Sequence, residues 1–154
     1  MKKTSALPIL IDLSKTTADQ AARELQTLVK ARADAGSQLE MLQSYRQDYA
    51  LRMQQAGASG MSASNYHNFR RFISTLDEAI AQQNRSIQQL ESRLDGQRSN
   101  WLSEKRRLNS YETLQERYRN QQQIIENRNE QRRNDEASIN LYHRARLQAE
   151  KSQP

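Results

Sequence analysis

The sequence has no cysteine, so disulfides and thiolate metal ligands are both excluded. Its two prolines, Pro8 and Pro154, stand at the ends, and no helix breaker of that kind lies between them. Glycine is almost as scarce: Gly36, Gly57, Gly60 and Gly96 are the full set. Aromatic residues make up 6% and hydrophobic residues 35% of 154, with a mean hydropathy of −1.05. That is too little apolar material for a thick core, although it can line a narrow seam between helices. No apolar run approaches the ~18 residues of a membrane span. Lys2 and Lys3 precede an apolar stretch from Ala6 to Leu13, but Pro8 and Asp12 interrupt it and no small-residue cleavage site follows. The segment therefore reads as a helix start and not as a signal peptide.

Catalytic and ligand-binding patterns are missing too. The two histidines, His67 and His143, are far apart, and a metal site needs more ligands at helical spacing. There is no glycine-rich phosphate loop and no nucleophile beside a base. Asp77-Glu78 and Asp135-Glu136 are adjacent pairs, which on a helix point in different directions and read as surface charge. The sequence thus predicts a chain that is not an enzyme and takes no cofactor or metal.

What is present is long helix, written in Ala, Gln, Glu, Arg and Leu. Steps of three and four from Ala18 reach Ala21, Leu25, Leu28, Arg32, Ala35, Leu39, Leu42, Arg46, Tyr49, Met53 and Ala56, with only the two arginines polar. A second run starts at Tyr66 and passes through Phe69, Ile73, Leu76, Ile80, Gln83, Ile87, Leu90, Leu94, Gln97, Trp101, Glu104, Leu108, Tyr111, Gln115, Tyr118, Gln122 and Ile125. Its polar members gather toward the C-terminal end. Sustained periodicity of this kind is a coiled-coil seam. Between the runs lies Gly57-Ala58-Ser59-Gly60, followed by Ser62 and Ser64 as possible caps. A connection this short makes the helices antiparallel neighbours.

The fold class is therefore all-α: two long helices in an antiparallel coiled-coil hairpin, forming one domain over residues 1–154. Helix one spans about 8–56, the hinge 57–61 and helix two about 62–149. The start of helix one is placed either at Pro8, in a first turn, or at Thr17, which forms a capping-box pattern with Gln20. Facing residues should have numbers summing to about 118, so helix one runs out opposite residue 108 or so. Helix two then overhangs at its C-terminal end by roughly 60 Å at 1.5 Å per residue. A polar helix of that length needs docking or many ion pairs, so the overhang reads as a binding site.

With Ala18 and Tyr66 both labelled a, the residues Gln38, Tyr45, Phe72 and Ala79 all fall at position g, on one flank of the seam. Together with Leu42, Tyr49 and Leu76 they widen the apolar strip into a patch centred on Tyr45 and Phe72. Clustered exposed aromatics serve as interface anchors. Periodicity alone leaves open whether these side chains do so or only cover a thin core.

The net charge of +6 and the pI near 9.8 raise nucleic acid or an acidic surface as a partner. The charge is spread out, however, with no dense basic block interleaved with aromatics. A solvated helical face is the better reading, and no nucleic acid is expected.

The chain resembles the FliJ family of the bacterial flagellar type III export apparatus over nearly its whole length. The matching segments are LIDLSKTTADQAARELQ, QLEMLQSYRQDY, NFRRFISTLDEAI, WLSEKRRLNSYETLQERYR and ENRNEQRRNDE. A signature of polar and aromatic positions that no heptad requires is kept in Trp101, Lys105, Leu108, Thr113, Leu114, Gln115, Arg117, Glu126, Asn127, Arg128, Gln131, Asp135 and Glu136.

The resemblance implies a stalk-like coiled coil linking the export ATPase FliI, with its regulator FliH, to the export gate FlhA. It also implies an escort role for late-substrate export chaperones. The implied location is cytoplasmic, peripheral at the inner-membrane base of the flagellum, with membrane contact only indirect through the gate. The gate-binding surface maps onto Gln38, Leu42, Tyr45, Tyr49, Phe72, Leu76, Ala79 and Gln83, which includes the flank isolated above. An ATPase-ring contact maps onto Trp101, Arg117, Glu126, Asn127, Arg128 and Gln131. Two positions depart from the family pattern. A histidine often found in the gate surface is Gln83 here, and Ala137-Ser138 follows the Asp-Glu pair where an aromatic is common. Competing readings are the equivalent stalk of an injectisome and a basic coiled coil that binds nucleic acid.

Overall fold

The computed structural model describes residues 6–153, so Lys2 and Lys3, which bear on the signal-peptide reading, lie outside the described residues. Two helices make the fold, α1 (Leu7–Ala58) and α2 (Ala63–Lys151), and no strand occurs among the described residues. They pack antiparallel. Tyr49 meets Phe69, Gln83 reaches Ala35 and Gln97 reaches Ala21, all pairs whose numbers sum to 118.

The helix start differs from one of the two sequence expectations. Leu7 opens α1 and Pro8 sits in its first turn, where a missing N–H costs nothing. Thr17 is not a cap. Its hydroxyl donates to the Leu13 carbonyl one turn back, as a mid-helix threonine does. The apolar seam therefore extends upstream of Ala18, and Leu7 and Ser14 are buried on the same spacing.

The turn is also shorter than the 57–61 hinge of the sequence reading. Gly57 and Ala58 stay in α1, and the Ser59 amide still donates to the Gln55 carbonyl. Gly60 alone takes a positive φ, +88°, the left-handed conformation that ends a helix at little cost only without a Cβ. Ser62 then caps α2 by accepting from the Asn65 amide at 3.2 Å.

The chain falls into two compact units, Leu13–Arg106 and Met1–Asp12 with Arg107–Pro154. In the first, Ala18, Ala21, Ala35, Leu76, Ile87 and Leu94 are buried along the seam, yet no side chain is sealed completely. The core is one residue thick, as the composition requires. Polar seam residues are satisfied in a pattern that repeats every 14 residues. Gln97 donates to the Ala21 carbonyl and to Glu24, while Gln83 donates to the Ala35 carbonyl and to Gln38. Arg32 pairs with Glu91 at 3.0 Å, and Arg46 pairs with Asp77 through both guanidinium and carboxylate. Gly36 makes room for the first ion pair, since a Cβ there would stand 2.9 Å from an Arg32 guanidinium nitrogen.

In the second unit Leu7 and Leu108 are buried and Tyr111 and Gln115 half-buried. From Glu116 to Gln153 every residue is exposed. Helix cover thus extends about two turns past residue 108, because α1 begins at Leu7 and not later. The remaining stretch of α2, residues 116–151, is about 54 Å of helix in which every side chain is exposed.

Candidate functional site

The aromatic flank is built by the register. Tyr49 and Phe72 bring their rings to a centroid distance of 4.3 Å at 36°, and Phe69 lies tilted to Tyr49 at 6.2 Å. The Arg52 guanidinium lies 5.6 Å from the Tyr49 ring centroid, a cation–π geometry. Leu76 is buried, and Leu42, Tyr49 and Ala79 are half-buried. Tyr45 and Phe72 remain 51% and 42% exposed, with Met41 at 54% nearby on α1. The eight residues assigned to the gate surface thus divide. Leu42, Tyr49 and Leu76 hold the hairpin shut, whereas Tyr45 and Phe72 keep about half their surface in water.

Gln38 and Gln83 stand at the edge of this flank, hydrogen-bonded to each other at 3.2 Å. Gln83 spends a second donor on the Ala35 carbonyl at 2.9 Å, so it serves the seam and borders the flank at once. The Asp77 hydrogen bond and negative charge push the Arg46 pKa above its ordinary value, and the guanidinium stays charged at any physiological pH.

The six residues assigned to the ATPase ring do not form one cluster. Trp101 is a half-buried seam residue in the Leu13–Arg106 unit, with the Lys105 ammonium 5.3 Å from its ring centroid. Arg117, Glu126, Asn127, Arg128 and Gln131 are exposed on the other unit. Glu126 and Asn127 line an open groove of about 540 Å³ together with Leu7, Pro8, Tyr118 and Gln122. Sequence reading missed this groove because it turns on where α1 begins. Pro8 in a permissible first turn was the available signal.

Among the described residues no group of three or more His, Cys, Asp or Glu side chains could hold a metal ion. No described helix is long and apolar enough to cross a membrane.

A one-layer seam, a half-exposed aromatic flank and a long exposed helical end define a coiled-coil hairpin. Comparison with known proteins places it within that class. The profile described as "Flagellar FliJ protein" matches residues 2–147. The flagellar FliJ protein of Escherichia coli (strain K12) is 32% identical over 136 residues, covering 88% of this chain and 92% of that protein. The flagellar FliJ protein of Salmonella typhi matches with the same identity and coverage. The chain belongs to the flagellar FliJ family, non-enzymatic components of the flagellar protein export apparatus that serve flagellum biogenesis and motility.

Proposed function

We propose that this chain is the stalk of its export apparatus, joining the ATPase FliI and its regulator FliH to the gate FlhA and escorting export chaperones. It acts at the cytoplasmic base of the flagellum, peripheral to the inner membrane. The observation that carries this reading is the flank. Two aromatic side chains, Tyr45 and Phe72, keep about half their surface in water above a seam already closed by Leu76. Interface anchors have this character: large, rigid and costly to leave exposed. Trp101 lies in the seam, so its part in an ATPase contact would be to support the helix, with Arg117 and the exposed segment from Glu126 to Gln131 making the contact itself.

Tyr45→Ala and Phe72→Ala should each weaken binding to the cytoplasmic domain of FlhA at least tenfold and reduce swimming, with helical content by circular dichroism unchanged. Gate affinity and motility equal to wild type in both variants would remove the flank from the gate contact.

A further inference from the structure

Three arginines stand near the turn, and the nearest acidic residues, Asp48 on α1 and Asp77 and Glu78 on α2, lie farther from the helix ends than any of them. Residues 49–76, which form both helix ends and the link between them, hold Arg52, Arg70, Arg71 and His67 and not one Asp or Glu. All four are exposed. They do not share a face. In the heptad labelling used above, Arg52 lies at g, Arg70 at e, Arg71 at f and His67 at b, so they ring the hairpin end like a collar. Each sits within about 12 Å of a helix terminus along the axis, close to one Debye length at 0.1 M salt. The residues that cap this end, Ala58 to Ser64, are small or neutral, and none carries a charge that would repel an anionic surface. Tyr66, 45% exposed, and Leu51, 53% exposed, occupy the same levels as the collar.

We propose that the turn end of the hairpin docks end-on against an anionic phospholipid surface. A protein groove receives one face of a helix pair, and charges placed on opposite flanks could not all reach it. A planar sheet of headgroups approached end-on meets all of them together. Arginine side chains bend toward phosphates while their stems stay on apolar surface, and an exposed tyrosine suits the headgroup level. Arg52 borders the aromatic flank through Tyr49, whereas Arg70 and Arg71 lie off it; the attraction goes beyond the stalk reading and rests on the charge distribution. Each arginine near such a surface contributes about fivefold in partitioning, so three together give on the order of a hundredfold.

The test is co-sedimentation of the full chain with vesicles of phosphatidylglycerol and phosphatidylethanolamine, and with vesicles of phosphatidylcholine alone. The variant R52Q/R70Q/R71Q is compared with R132Q/R133Q/R144Q, which removes the same charge from the opposite end of α2. Circular dichroism reports helical content in both. Wild type and the second variant should bind anionic vesicles, weakening as salt rises, while the first variant loses on the order of a hundredfold and phosphatidylcholine binds none of them. Equal binding by the two variants would overturn the proposal, because net charge and not the collar would then govern it. So would absence of anionic-vesicle binding by the wild type. Salt-sensitive binding of the FlhA cytoplasmic domain that needs the three arginines, without vesicle binding, would assign the collar to an acidic protein surface instead.

Discussion

Leu76 and Tyr45 show how one patch divides its labour. Leu76 is buried to 7% exposure, and its removal leaves a hole that a one-layer seam cannot refill from a second layer. Leu76→Ala should cost about 2–4 kcal/mol in urea unfolding. Tyr45→Ala, at a side chain half in water, should change stability by no more than about 0.5 kcal/mol. A Tyr45→Ala cost similar to that of Leu76→Ala would mean that the flank is core and not docking surface. Periodicity assigned both residues to the same patch. It carried no information on how deep each lies, since depth depends on where the opposite rings stack.

The polar seam residues are a further case at this scale. Gln83 and Gln97 stood out in the sequence as interruptions of an apolar run. Each faces an alanine, and the small side chain lets the amide reach past it to the main-chain carbonyl. Hydrogen bonds of this kind contribute only about 1 kcal/mol net, but they are formed in one register alone. A slip by one heptad in either direction would put Gln83 opposite a leucine, Leu28 or Leu42.

At the scale of elements, the two glycines of the turn have unequal roles that only the backbone distinguishes. Gly60 needs its left-handed φ, so Gly60→Ala should lower hairpin stability by about 1–2 kcal/mol. Gly57 lies inside α1 with nothing within 4 Å of where a Cβ would stand. Gly57→Ala should therefore raise stability by about 1 kcal/mol through helix propensity. Thermal unfolding of the two variants checks both signs at once. Two glycines three residues apart were enough to place a turn near this point. Which of them turns the chain was decided by how far the α1 hydrogen bonds continue, and they run through Ser59. The start of α1 has a similar explanation. Pro8 and Asp12 interrupted the apolar pattern upstream of Ala18, although Leu7 and Ser14 are both buried.

At the scale of the whole molecule, the question is what engages residues 116–151, all of which are exposed. Their apolar side chains include Ile124, Ile125, Ile139, Leu141, Tyr142 and Leu147, all more than half exposed. Isolated helices of this polarity gain little from propensity alone, so a partner should order and protect them. A chain truncated after Tyr118 keeps α1 and every residue of α2 that is buried or half-buried. It should bind the gate like the full chain while losing FliI in a pull-down. Undiminished FliI capture would move the ATPase contact off this segment.

The sequence by itself determined the helical class, the antiparallel pairing, the register and an excess of α2 beyond the reach of α1. All four follow from spacing along the chain, and spacing is a one-dimensional quantity. The tertiary structure alone decided which flank aromatics are half in water, which polar seam residues find a carbonyl, and where the helix ends fall at Leu7, Ala58 and Ala63. Those depend on the distance between two side chains far apart in sequence, or on whether the next backbone hydrogen bond is made. A heptad cannot encode either one.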